Sequence, residues 1–144
     1  PNFSAALKPS VIKAAKEEVR RAIRFKYGIV FLEYKLSYGY TQTHPEIKSL
    51  AYEYDNWISI LKPDDDGGHD VVDGVFKYGM NMNQVRVCGV NTDMCVHDTV
   101  STIAKLSPKS QIFIRKDGCG SSAKNDFGKF KPYGNVKIID GNGK

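Results

Sequence analysis

Cys95 is the residue in this sequence with the clearest capacity for chemistry. It lies in the stretch VCGVNTDMCVHDTV, residues 87–100, where a β-branched run breaks into polar residues and a cysteine opens a helical pattern. A thiol at a helix N-terminus feels the positive end of the helix dipole, and a nearby ammonium lowers its pKa further, which favours thiolate at neutral pH. The thiolate can attack a carbonyl carbon, and free backbone N–H groups of the turn can stabilise the oxyanion. The alternative is that Cys95 is a small buried apolar residue, as free cysteines usually are.

The other two cysteines are predicted to be bystanders. Cys88 lies inside a predicted buried strand, and Cys119 lies in the glycine-rich stretch DGCGSS. The three cysteines have no C-x-x-C spacing, so neither a disulfide framework nor a zinc knuckle is expected. Reduced thiols and a start without signal-peptide layout predict a cytoplasmic protein. No run approaches the roughly 20 apolar residues of a membrane span, so no membrane partner is expected.

Strands alternate with helices along the 144 residues. This pattern predicts an α/β fold with a doubly wound parallel sheet, because right-handed crossovers then place helices on both faces. An amphipathic first helix is predicted with Ser10 as its N-cap and Gly28 as its stop. The expected strands span 29–34, 57–62, 85–90, 111–116 and 136–140, and the other expected helices span 45–55, 69–80 and 95–106.

Polar residues follow three of these strands. Lys62 ends one strand, with Pro63 directly behind it, residues 91–95 leave the next strand, and Asp117 follows the one after that. Ligands of doubly wound sheets bind beyond the carboxyl ends of the strands. The three groups are therefore expected to converge on one edge of the sheet.

The segment VRVCGVNTDMCVHDTVSTIAKL, residues 85–106, resembles the isochorismatase-like cysteine hydrolases, the superfamily of nicotinamidases, carbamoylsarcosine amidases and ureidoacrylate amidases. The family signature is close to G-[VL]-x-T-[DE]-x-C-V. Six residues match it in register: Gly89, Val90, Thr92, Asp93, Cys95 and Val96. The order of elements also fits, so the resemblance covers nearly the whole chain and implies a three-layer α/β/α fold.

The resemblance also implies a catalytic triad of cysteine, lysine and aspartate. Cys95 takes the place of the nucleophile, and Lys62 takes the place of the lysine. The family's cis peptide bond would join Val90 to Asn91, and the backbone N–H groups of Asn91 and Cys95 would form the oxyanion hole. In the implied mechanism an aspartate accepts the thiol proton, Cys95 attacks the carbonyl to form a thioester, and water releases the acyl group.

The family's aspartate has no counterpart in the given sequence. It ends the first, central strand in a motif similar to D-x-Q-x-x-F, and Phe3 would be the last residue of that motif. The aspartate and its strand are therefore expected before Pro1, with residues 1–144 forming one domain that is incomplete at its N-terminus. We expect such a chain to be poorly soluble or dependent on a complementing strand, because unpaired sheet edges invite aggregation.

The metal site of the nicotinamidases is also missing from the sequence. That site starts with D-x-H after the second strand, where this chain has EYKLSYGYTQTH. His44, His69 and His97 have no ligand spacing. The sequence predicts no bound metal and no cofactor.

The residues after Lys62, PDDDGGHD, depart from the family's usual pattern. Residues 64–66 favour an acidic helix N-terminus that complements the dipole, and the alternative is that one of them replaces the missing base. Tyr34, Tyr38 and Tyr40 could line a pocket or a subunit interface, where tyrosine is enriched. An interface is favoured because family members commonly oligomerise, so a homo-oligomer is expected. Phe3 and Tyr34 are the candidates for a substrate pocket.

These features predict a cysteine-dependent hydrolase that acts on a small amide or related C–N bond. The alternative is a catalytically silent relative that serves as a binding or assembly module. The net charge of +5 would suit a nucleic-acid partner, but acidic residues interleave with the basic ones in KEEVRRAIRFK. No recognition helix, aromatic RNA-binding motif or zinc finger accompanies that charge, so a small-molecule substrate and no nucleic acid are expected.

Overall fold

Strands and helices alternate in the computed structural model, which describes residues 4–121 and 126–141. Phe3 and the side chain of Tyr40 lie outside the described part of the chain. The α-helices are α1 (Pro9–Phe25), α2 (Pro45–Lys48), α3 (Gly68–Lys77) and α4 (His97–Leu106). The strands are β1 (Ile29–Leu36), β2 (Gly39–Tyr40), β3 (Trp57–Lys62), β4 (Gln84–Val90), β5 (Gln111–Gly120) and β6 (Val136–Ile139). The predicted α/β class with parallel strands is confirmed.

The strands form two sheets of three. In the first sheet, β1 pairs in parallel with β3 and meets the short β2 in an antiparallel hairpin. In the second sheet, β5 lies between β4 and β6, and both pairings are parallel. Within residues 4–121 and 126–141, no ladder of hydrogen bonds joins β1 to β4. Side chains of β1 and of the second sheet meet in one hydrophobic cluster.

Helices cover both faces of the strands, as the alternating directions of the β1 side chains show. Ile29 and Phe31 pack with residues of α1 and α2 in one hydrophobic cluster. Val30 and Leu32, which point the other way, pack against the cluster that α3 and α4 form with β5. Because successive side chains of a strand face opposite sides, α1 and the pair α3/α4 lie in separate layers. The arrangement has three layers, α/β/α.

Helix α1 begins and ends differently from the prediction. Lys8, not Ser10, is the N-cap, and Pro9 takes the first helical position, where its fixed φ and missing N–H fit. The C-cap is Lys26, with a left-handed φ of 61°, so the helix ends before Gly28. The backbone N–H groups of Lys26 and Tyr27 donate to the carbonyls of Ile23 and Ala22 in the last turn.

A network of charged side chains connects α1 to the second sheet. Arg115 of β5 is 4% exposed and bonds to Glu17 and Glu18 of α1 and to Asp117 of its own strand. Arg86 of β4 makes two further bonds to Glu18, of 2.7 and 2.6 Å. Bidentate pairs of this kind are the strong charge-assisted bonds. The pKa of Glu18 is lowered by both guanidinium groups, against the effect of its own burial.

Among the residues that the structure describes, no helix has the length and hydropathy needed to cross a membrane.

Candidate active site

Lys62 is placed by the parallel pairing of β3 with β1. It is the last residue of β3, stands opposite Tyr34 of β1, and is only 5% exposed. Its Nζ donates to the backbone carbonyl of Asp65 at 2.7 Å and lies 5.7 Å from the centre of the Tyr34 ring. A buried lysine needs such partners, because burial disfavours an ammonium that lacks them. The predicted pocket residue Tyr34 therefore lies beside the ammonium.

Cys95 lies in a π-helical turn, Thr92–Val96, between β4 and α4. The carbonyl of Asn91 accepts from the N–H of Val96 at 3.1 Å, which is the wide i to i+5 bond of such a turn. The peptide bond between Val90 and Asn91 is cis, at the position where the resemblance places one. Cys95 itself is 5% exposed.

The thiol of Cys95 contacts a carboxylate of the other half of the molecule. Cys95 Sγ donates to Asp65 Oδ1 at 3.3 Å. The backbone carbonyl of Asp65 accepts from Lys62 Nζ and, at 3.2 Å, from Thr99 Oγ1 of α4. Ammonium, carboxylate and thiol therefore meet at one residue, in the turn between β3 and α3.

The turn that carries Asp65 is held against α4. Asp66 accepts from the N–H of Gly68 at 2.8 Å through one oxygen and from the Thr102 hydroxyl through the other. The N–H of Gly67 donates to Thr99 Oγ1 at 3.0 Å. A Cβ on Gly68 would lie 2.5 Å from the Thr102 Cβ, so only glycine lets the turn approach α4 this closely.

Burial raises the pKa of the Cys95 thiol above its ordinary value. Lys62 lowers the pKa, the nearby Asp65 carboxylate raises it again, and a backbone hydrogen bond with Asn91 lowers it. The net direction is upward. This direction is opposite to the one expected from the helix N-terminus and the ammonium, because desolvation and a facing carboxylate outweigh one ammonium. Attack by this thiol requires that its proton be removed.

The other cysteines are held as thiols more strongly. Burial is the largest cause in both: it raises the pKa of Cys119 to about 12 and that of Cys88 further. The negative charge of Glu18 adds to the effect at Cys88. Both residues are free thiols, as is Cys95.

One of the three polar groups predicted to converge does not join the site through its side chain. Arg115 binds both carboxylate oxygens of Asp117, at 2.8 and 3.0 Å, and holds the pKa of that group below its usual range. The prediction treated the strand end as open, whereas the arginine two residues earlier occupies the carboxylate. The pairing of Arg115 with Asp117 was predictable from their spacing, because residues i and i+2 of a strand lie on the same face.

Two of the histidines have local structural contacts. His44 Nδ1 accepts from the N–H of Glu46 at 3.2 Å and so caps α2. His97 Nδ1 lies 3.2 Å from Asp98 Oδ1, and its ring contacts Phe130 and Tyr133. In residues 4–121 and 126–141, no three His, Cys, Asp or Glu side chains lie together as a metal site would require.

Known proteins are similar to this chain in structure and not in sequence. No family model matches the sequence, and no curated protein matches it.

Solved structures do match. A nicotinamidase from Staphylococcus aureus has a TM-score of 0.70 at 16% identity, over 90% of this chain and 85% of its own. An N-carbamoylsarcosine amidase from Thermoplasma acidophilum has a TM-score of 0.70 at 14% identity, over 94% and 86%. An octameric hydrolase of unknown specificity from Escherichia coli has a TM-score of 0.67 at 17% identity, over 94% and 67%. The resemblance seen in residues 85–106 is thus confirmed at the level of the fold: this chain has the three-layer fold of the isochorismatase-like hydrolases.

Proposed function

We propose that this protein is a cysteine-dependent hydrolase of a small amide or related C–N bond. The observation that carries the proposal is the meeting of the Cys95 thiol and the buried Lys62 ammonium at one aspartate, beside strand ends where this class of sheet binds ligands. Fold alone does not determine function, so the argument depends on this group of side chains. The amidases among the similar structures support the choice of an amide.

The proposed reaction has two steps. A carboxylate accepts the Cys95 proton as the sulfur bonds to the substrate carbonyl carbon, and the backbone N–H groups of Asn91 and Cys95 stabilise the oxyanion. The amine leaves with a proton, and a thioester remains on the sulfur. Water then attacks the thioester and restores the thiol. Lys62 supplies positive charge that favours the ionised thiol, since it lowers the pKa of Cys95.

Turnover on a panel of small amides, including nicotinamide and N-carbamoylsarcosine, tests the proposal. Cys95→Ala removes the nucleophile and is expected to lower turnover by at least about 10³-fold. Cys88→Ala is the matched control, because it removes a thiol that lies in β4 and has a more strongly raised pKa. Mass spectrometry of the protein quenched during turnover is expected to show an acyl group on Cys95. Equal turnover in the Cys95→Ala variant would contradict the proposal.

The alternative is a catalytically silent protein that binds a small molecule or assembles with others. The raised pKa of Cys95 favours it, because a resting thiol is a weaker nucleophile than a thiolate. This alternative predicts that a small amide raises the melting temperature and is recovered unchanged. Release of ammonia from any amide of the panel would eliminate it.

We propose further that the protein is a homo-oligomer. Tyr38 and Phe76 are 88% and 87% exposed, and large exposed aromatic side chains are typical of interfaces. The similar hydrolase from Escherichia coli is described as octameric. Light scattering coupled to gel filtration checks this, and a mass of 16.1 kDa would mean a monomer.

A cytoplasmic location is the corresponding proposal for the compartment. The free thiols of Cys88, Cys95 and Cys119 support it, because reducing compartments keep cysteines unpaired. Fractionation of the source cells would show whether the protein is exported.

A further inference from the structure

We propose that Asp65 is the catalytic base of this protein, supplied by the turn three residues after Lys62. The inference rests on the proposed hydrolase function and names the group that removes the thiol proton. Asp65 is the carboxylate in contact with the sulfur, with Oδ1 3.3 Å from Cys95 Sγ. It therefore touches the atom that reacts.

The backbone of Asp65 is fixed so that its carboxylate faces the sulfur. Its carbonyl accepts two bonds, from Lys62 Nζ at 2.7 Å and from Thr99 Oγ1 at 3.2 Å. These donors come from β3 on one side and α4 on the other, and α4 continues from the turn that carries Cys95. A base held by both its own strand and the helix of the nucleophile keeps a constant distance to the thiol.

The competing explanation is that residues 64–66 are an acidic helix N-terminus, and it accounts for two of the three. Asp64 accepts from the N–H of Asp66 at 3.0 Å, and Asp66 accepts from the N–H of Gly68 at the start of α3. The carboxylate of Asp65 instead bonds across to Cys95. Stabilisation of the turn and the helix explains the neighbours of Asp65 and leaves its own orientation to be explained.

The proton transfers balance with Asp65 in this position. The Cys95 proton moves to Asp65 Oδ1 as Sγ bonds to the carbonyl carbon. The protonated Asp65 then gives that proton to the leaving nitrogen as the C–N bond breaks. In the second step the carboxylate takes a proton from the attacking water and returns it to the sulfur. The positive charge of Lys62 compensates the negative charge shared by thiol and carboxylate.

We expect Asp65→Asn to speed alkylation of Cys95 and to slow turnover. Loss of a purely structural residue would not give this pair of opposite effects. The carboxylate raises the pKa of Cys95, so the variant thiol should ionise at lower pH. Alkylation by iodoacetamide at pH 7 is expected to become roughly tenfold faster, with its pH profile displaced downward. Turnover on the best amide of the panel is expected to fall by about 10²-fold or more, because the base is gone.

Asp73→Asn is the matched control, since it removes an exposed carboxylate from α3. It should leave both readouts within about twofold of the parent protein. Asp65→Glu guards against a folding defect: it keeps the charge, so alkylation stays slow while turnover is partly retained.

Each outcome has a separate meaning. Unchanged or slower alkylation of Asp65→Asn would overturn the pairing of Asp65 with the thiol. Turnover of Asp65→Asn within threefold of Asp73→Asn, with Cys95→Ala inactive, would overturn Asp65 as the base and leave the hydrolase proposal standing. Full turnover by Cys95→Ala would overturn the cysteine-dependent reaction and, with it, Asp65 as the base that takes the thiol proton, while faster alkylation of Asp65→Asn would still support the contact between the two residues.

Discussion

Two groups of charged side chains in this molecule differ in how completely they are satisfied. Between α1 and the second sheet, Arg115 and Arg86 share the carboxylates of Glu17, Glu18 and Asp117 through a set of short bonds. At the end of β3, the Lys62 ammonium donates to a backbone carbonyl, and the Asp65 carboxylate faces a thiol. A network in which every charge has an opposite partner stabilises the fold. A network whose partners are a carbonyl and a thiol has charge available for a reaction.

Removal of Arg115 should have the largest effect, and only on stability. Arg115→Met leaves Glu18 with Arg86 alone and leaves the half-exposed Glu17 and Asp117 without their shared guanidinium, so it should lower the free energy of unfolding by about 2 to 3 kcal/mol. Denaturant unfolding measures this. Arg20→Met, at an exposed position of α1, is the control and should cost less than about 0.5 kcal/mol. If Arg115→Met were as stable as Arg20→Met, the first group would have no structural importance.

The second group, at the end of β3, should make Cys95 the most reactive of the three cysteines. Cys95 is expected to react with iodoacetamide at neutral pH at least about tenfold faster than the other cysteines, because Lys62 and the Asn91 backbone favour its thiolate. Cys119 has a pKa of about 12 and that of Cys88 is higher, so both should be inert. Peptide mapping after brief labelling measures the three rates. Faster labelling of Cys119 would count against Cys95 as the nucleophile.

Substitution of Lys62 should change the pKa of Cys95 in the direction opposite to substitution of Asp65. Lys62→Met removes the positive charge, so the pKa of Cys95 should rise and alkylation at pH 7 should slow by roughly tenfold. Lys105→Met removes an exposed charge of α4 and serves as the control. The rates of the two variants would be equal if Lys62 did not act on the sulfur.

The smallest expected effect is that of chelation. In the described part of the chain, no three His, Cys, Asp or Glu side chains are arranged so that they could hold a metal ion, so EDTA should leave turnover unchanged. Loss of activity that added zinc or iron restored would mean that the hydrolase needs a metal.

The ends of the predicted strands and the family motif were enough to predict part of the candidate site. Lys62, Asn91 and Cys95 follow from where β3 and β4 end, so their proximity was predictable. The sequence did not show that Asp65 contacts Cys95, because three successive aspartates before a helix have the same local pattern whichever of them faces the sulfur. The effect of burial on the pKa of the thiol was not predictable, since the sequence shows a helix start but not how deeply it is buried.

The fold was predictable to a similar extent. Periodicity located the main helices and the long strands, and the missed elements are short, such as β2 and the π-helical turn at Thr92–Val96. Periodicity alone did not predict which strands pair, because pairing between strands distant in sequence leaves no local pattern. The start of α1 was misjudged because Ser10 is a good N-cap residue, while Pro9 before it fits the first helical position equally well.

The contact between Asp65 and Cys95 depends on side-chain hydrogen bonds between the turn after β3 and α4. Lys62 and Asp65 come from the first sheet and its turn, whereas Cys95 comes from the second, and hydrogen bonds such as those from Thr99 and Thr102 hold the two together. Segments joined by side chains can separate at a lower free energy than global unfolding requires. In mild urea, the rate of Cys95 alkylation should therefore change before the circular dichroism signal does. The thiol would then report separation of this turn from α4 while the secondary structure is still intact.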